Sequence, residues 1–182
     1  MSAASERKRA ERLRALLDQH FDFIWRSLRR LGVREADVDD AAQEVFVVAA
    51  KKLDQVLPER ERAFLTGTAL RVASTFRRSS RRRPEEPCDG LEQELDLGLN
   101  PEELSELKRA RSLLQEILEG MSFEQRAVFV MSEIEELAAP AIAELLGIPV
   151  GTVHSRLRSA REGFQAATRR QMVKESFLGA RR

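Results

Sequence analysis

Residues 145 to 158 read LLGIPVGTVHSRLR, placing two glycines and a proline between stretches that otherwise carry helical periodicity. No helix runs through that spacing unbroken, because proline lacks an N–H and glycine favours the left-handed backbone that ends a helix. APAIAELLG, closing on Gly147, reads as a short helix with Ile142, Ala143 and Leu146 inward. Ile148 plugs the corner, Pro149 is pre-set for the first turn of the next helix, and Val153 and Leu157 point back to the core. The small Ala143, four residues before the glycine, lets two backbones cross closely at a steep angle, so the unit is a helix-turn-helix. Off the core lie Pro149, Gly151, Thr152, His154, Ser155, Arg156 and Arg158. Open amides, hydroxyls and guanidiniums at a helix start suit phosphates and base edges in a DNA groove. A plain helical hairpin is the competing reading, with His154 simply an exposed polar residue.

The rest of the chain is helical by pattern. Leu13, Leu16, Leu17, Phe21, Ile24, Leu28 and Leu31 form one apolar stripe on a helix over 6–31 that Gly32 ends. A second helix, from about Glu35 to Leu53, turns Val38, Ala41, Ala42, Val45, Phe46 and Ala49 inward. Its first turns hold Glu35, Asp37, Asp39 and Asp40, where the helix dipole favours negative charge. DQVLPERER interrupts at Pro58, and a third helix runs from Ala63 to about Arg78. After a stretch rich in proline and glycine, Asn100 and Pro101 start a fourth helix that Gly120 stops. Ser122 caps a fifth, with Gln125 three residues on as in a capping box.

Composition excludes several classes. Of 182 residues, 42% are hydrophobic and 5% aromatic, with no tyrosine, a balance that favours an all-α fold. One cysteine, Cys88, and two histidines, His20 and His154, cannot build a disulfide framework or a zinc site within one chain. No apolar run reaches the roughly 20 residues of a membrane span and no signal-peptide core is present, so a cytoplasmic protein without membrane insertion is expected. The net charge of +1 hides segregation of sign. Arg71 to Arg83 holds six arginines and no acid, whereas Glu85 to Glu106 holds nine acids and no base. Such blocks are either solvated faces or local polyanion-binding surfaces.

Together, ADVDDAAQEVFVVAAKKL and EQRAVFVMSEIEELAAPAIAELLGIPVGTVHSRLRSAR, in that order and spacing, resemble the extracytoplasmic-function (group IV) subfamily of bacterial sigma-70-type factors. The resemblance covers about residues 10 to 170. It implies two small helical domains, a sigma-2-like bundle at 1–83 and a sigma-4-like helix-turn-helix at 101–170, joined by a flexible acidic linker at 84–100, with a tail at 171–182. By position, Asp39, Asp40, Gln43, Glu44 and Phe46 would dock on RNA polymerase core, Phe46 as apolar anchor beside an acidic stripe. The loop from Lys52 to Arg62, with Lys52, Asp54, Gln55 and Arg60, would hold a base flipped from the minus-ten element. Arg71, Arg77, Arg78 and Arg81, with Arg82 and Arg83, would track phosphates of the opened strand. The helix from Pro149 would read the minus-35 element.

This segment departs from the family pattern, with Phe64 where tryptophan is frequent, Arg71 where asparagine is common and Thr75 where aspartate is common. Those departures bear on minus-ten preference and leave the charge logic intact. Read this way, the chain directs polymerase to promoters and aids strand opening, with no catalytic residue, cofactor or metal. Its partners are RNA polymerase core and promoter DNA, as duplex and as opened strand, with an anti-sigma factor a candidate. The acidic linker is either a passive spacer or a strand-mimic in a basic polymerase channel. Two other readings stand beside this one: a stand-alone helix-turn-helix regulator that binds duplex DNA without polymerase, and a carboxylate-metal phosphodiesterase on Asp39, Asp40 and Glu44.

Overall fold

Three long helices open the chain: α1 (Ala3–Arg30), α2 (Glu35–Lys52) and α3 (Glu61–Ser80). After them come α4 (Pro101–Glu119), α5 (Phe123–Phe129), a π turn (Val130–Ile134), α6 (Ala139–Leu146) and α7 (Val150–Gly179). The computed structural model describes residues 3–80 and 100–179, and every regular element among the described residues is helical. The chain divides into two compact units, Met1–Gly90 and Leu91–Arg182. The acidic linker expected at 84–100 and the arginines Arg81, Arg82 and Arg83 lie outside the described residues, apart from Asn100.

In the first unit α2 packs on both α1 and α3. Ile24, Leu28, Val38, Val45 and Leu65 are buried between them, each aliphatic side chain contributing about 1.5–3 kcal/mol by leaving water. Two threonines of α3 enter this core without loss, because the Thr66 and Thr68 hydroxyls donate to the carbonyls of Arg62 and Phe64, each at 2.9 Å. Gly32 ends α1 with φ of 90°, as its position implied. Its N–H donates to Arg29 O at 2.9 Å and that of Val33 to Leu28 O at 3.0 Å, the paired bonds of a Schellman end.

In the second unit α4, α5 and α6 all pack on α7. Both predicted N-terminal caps form as full capping boxes, Asn100 with Glu103 and Ser122 with Gln125. Beyond α5 the chain departs from the expected regular helix. Val130 to Ile134 widens into a π turn, with the Glu135 N–H donating to Val130 O at 3.0 Å, and Glu136 takes a left-handed φ of 55°. The last helix, α7, continues past Arg170 to Gly179.

Gly147 takes φ of 63°, and the N–H groups of Gly147 and Ile148 donate to Glu144 O and Ala143 O at 3.3 and 3.1 Å. A Cβ there would meet nothing within 4 Å, so any penalty comes from the backbone alone. Gly147→Ala is therefore expected to cost about 1 kcal/mol, read by denaturant unfolding. Gly151→Ala, also open to 4 Å and of ordinary φ, is expected not to destabilise; equal effects from both would contradict this account of the turn.

Candidate nucleic-acid and polymerase interfaces

Three side-chain contacts orient α7. Gln125 Nε2 donates to Ser159 Oγ at 2.9 Å, Arg161 Nη2 pairs with Glu133 Oε1 at 2.7 Å, and Phe164 stacks on Phe129 with centroids 5.1 Å apart. The π turn carries Glu133 to that pairing, which the sequence offered no means of anticipating. Val153, Leu157 and Ala160 are buried, which fixes the inward face of α7. At 3.6 residues per turn, Gly151, Ser155 and Arg158 fall on the opposite face, and all three are exposed. His154 is exposed at the edge of this face, while Thr152 and Arg156 are half-buried on its other flank. Pro149 precedes the helix rather than opening its first turn, and its carbonyl accepts from the N–H groups of Thr152 and Val153 at 2.9 and 3.2 Å.

On α2 the structure separates residues the sequence had grouped. Asp40, Gln43 and Glu44 are exposed along one stripe, and Val47, one turn on, is 43% exposed. Asp39 is exposed too, but its Oδ1 accepts a hydrogen bond from Trp25 Nε1 at 2.9 Å, which ties it to α1. Phe46 corrects the expectation of a surface anchor. It is 6% exposed and stacks on Phe21 at 6.1 Å, because the apolar α1 stripe lies directly opposite. The large apolar side chain exposed on this α2 stripe is Val47, a residue sequence reasoning passed over.

The α2–α3 loop keeps Lys52, Asp54, Gln55 and Arg60 exposed, with Leu57 56% exposed. Leu57 too went unnoticed in the sequence. Arg62 lies 4.6 Å from the centroid of the Phe23 ring, a cation–π contact at the start of α3. Further along α3, Arg71, Thr75 and Arg78 are exposed at helical spacing, and Arg77 is half-buried. Arg71 and Arg78 are separated by about 10 Å along the axis, enough to follow a strand past more than one phosphate. The Thr75 hydroxyl donates to Arg71 O at 3.2 Å and Arg78 Nε to Ser74 O at 3.2 Å.

Among the described residues no group of three His, Cys, Asp or Glu side chains is placed to hold a metal ion. Nor is any described helix long and apolar enough to cross a membrane.

Comparison with known proteins finds a family match in each of the two units. Residues 16–83 match the family described as Sigma-70 region 2, and residues 105–162 that described as Sigma-70, region 4. The chain is 28% identical over 148 residues to the ECF RNA polymerase sigma factor SigE of Mycolicibacterium smegmatis, covering 81% of this chain and 58% of that protein. To the ECF RNA polymerase sigma-E factor of Escherichia coli it is 30% identical over 141 residues, 71% of this chain and 73% of that protein. It thus spans little more than half the length of the first relative and nearly three quarters of the second. Among solved structures, CnrH in complex with the cytosolic domain of CnrY aligns at TM-score 0.61 and 26% identity, covering 85% of each chain. The sigma factor RpoE of Bartonella quintana, solved with the anti-sigma factor NepR, shares the fold at TM-score 0.64 and 18% identity, over 84% of this chain and 94% of that one. With both regions matched in order and a relative of that identity and coverage, the chain belongs to the ECF RNA polymerase sigma factors of the sigma-70 family.

Proposed function

We propose that this chain binds RNA polymerase core in the cytoplasm and directs it to promoters, reading a minus-35 element with α7 and capturing the minus-ten element with the first unit. The observation that carries the reading is the outward face of α7, where Gly151, Ser155 and Arg158 stand clear of the core at an open helix start. A small residue first, then a hydroxyl, then a guanidinium is a sequence of groups that can enter a major groove and reach base edges. On this geometry Arg158, near the middle of the exposed face, reads bases with Ser155 and His154, while Arg156 on the flank holds phosphate.

The α2 stripe of Asp40, Gln43, Glu44 and Val47 meets polymerase core, acids against basic partner groups and Val47 as the apolar contact. The α2–α3 loop holds the flipped base, and Arg71, Arg77 and Arg78 follow the opened strand. The chain does no covalent chemistry. The solved structures of CnrH with the cytosolic domain of CnrY and of RpoE with the anti-sigma factor NepR support regulation of this chain by an anti-sigma factor.

Run-off transcription with purified core polymerase and genomic fragments tests the reading. Transcripts that start at discrete promoters only when both proteins are present are expected. A protein that yields none, or that binds duplex as a dimer and acts without core, is the stand-alone regulator instead.

A further inference from the structure

The loop between α2 and α3 carries no structural glycine, and α2 ends on Leu53 in right-handed backbone. Helix ends of that kind leave carbonyls that need donors from elsewhere. Here the Val56 N–H donates to Leu53 O at 3.3 Å within a 3-10 turn, and further donors come from α1. Arg9 Nη2 donates to Ala50 O, and Arg9 Nε bonds Asp54 Oδ2 at 3.1 Å. One turn on, Arg12 Nη1 donates to Leu53 O at 3.1 Å and Nη2 to Val56 O. The same guanidinium meets Glu61 Oε1 through Nε at 2.9 Å and Nη2 at 2.7 Å. Glu61 is the first residue of α3 and its side chain is only 14% exposed.

One side chain therefore ties the start, the middle and the far end of the loop to α1. We propose that Arg12 is a positioning residue for minus-ten selectivity: it holds residues 53–61 in the shape that accepts a flipped base, without touching DNA. This rests on the reading of that loop given above. A planar fork of five donors can reach two carbonyls and a carboxylate together, whereas an ammonium cannot span the same points. The exposed groups of the loop, Asp54, Gln55, Leu57 and Arg60, hang from a backbone whose course Arg12 sets. Selectivity through a captured base demands that course in advance, since each misplacement forfeits contacts that offset unstacking.

The test uses the full chain with polymerase core on a promoter panel substituted singly through the minus-ten element, for Arg12→Gln, Arg12→Lys and, as control, the exposed Arg14→Gln. Melting temperature and core affinity are measured alongside. Arg12→Gln and Arg12→Lys are expected to compress the ratio of transcription between preferred and substituted promoters by about tenfold, with core affinity unchanged. Arg14→Gln is expected to leave that ratio as it was. If Arg12→Gln does not fold, Arg12→Lys, which keeps the charge beside Glu61, decides the matter. Full selectivity in a folded Arg12→Lys protein would overturn the proposal. So would a uniform loss on every promoter together with weakened core binding, which is what a purely structural role predicts. An unsubstituted chain that transcribes with no minus-ten preference would overturn the reading of the loop itself, and the proposal with it.

Discussion

Reversing two charges on α2, Asp40→Arg with Glu44→Arg, is expected to remove core binding while leaving the free chain folded. Both side chains are exposed and four residues apart, on the stripe that also carries Gln43 and Val47. Against basic groups on a partner, two acids steer encounter and fix register, and turning both into cations sets like charges face to face at a cost of several kcal/mol. Affinity for core should fall by at least about a hundredfold. Stability should hardly move. The two acids already repel each other at that spacing, and two arginines repel in the same way, so the intrahelical term is nearly conserved. Both positions lie beyond the first turn of α2, where the dipole has little say. Titration of labelled chain with core, beside a melting curve, separates the effects. Wild-type core affinity in the reversed protein would remove this stripe from the interface.

The second large effect is expected at Arg158. Arg158→Ala should cost about 1–3 kcal/mol of binding in the assembled complex, and the loss should be confined to promoters carrying the preferred pair at one position of the minus-35 element. Where that pair is already changed, removing the guanidinium should make little difference. Arg156→Ala should behave otherwise, weakening every promoter alike and reducing the salt dependence of binding by about one unit of slope. These opposite signatures follow from burial alone, since Leu157 and Ala160 face inward and turn Arg158 away from the core while Arg156 stays half-buried. A position-specific loss from Arg156→Ala and a uniform one from Arg158→Ala would exchange the two roles, with Arg156 on bases and Arg158 on phosphate.

What could be read in the sequence was what is decided locally. Gly147, the Asn100 and Ser122 caps and the stop at Gly32 each depend on a few neighbouring residues, and each stands where spacing put it. Phe46 could not be settled in that way. It belongs to the inward set of α2 and sits beside the acidic stripe, and only the position of Phe21 on α1 decides that it is core. The guanidinium clamp on the α2–α3 loop was invisible for a related reason, since Arg12 and Glu61 are 49 residues apart and nothing in a run of exposed arginines marks one as a tie. The π turn escaped because the apolar run from Val128 to Met131 fits a wider turn as well as a regular one. The wider turn is accompanied by Glu133 meeting Arg161 and by the left-handed backbone at Glu136, both lying beyond the run itself. The candidate interfaces were thus recognisable by composition and order, while their anchors lay in contacts between helices.

On the proposed function, this chain grips promoter DNA usefully only when carried by polymerase. The decisive quantity is its affinity for one promoter, measured at fixed salt for the free chain and for the chain bound to core. Weak binding alone and binding tighter by orders of magnitude, dependent on both promoter elements, in the assembled enzyme is the predicted result. Tight, sequence-specific binding by the free chain that core polymerase leaves unchanged would contradict it.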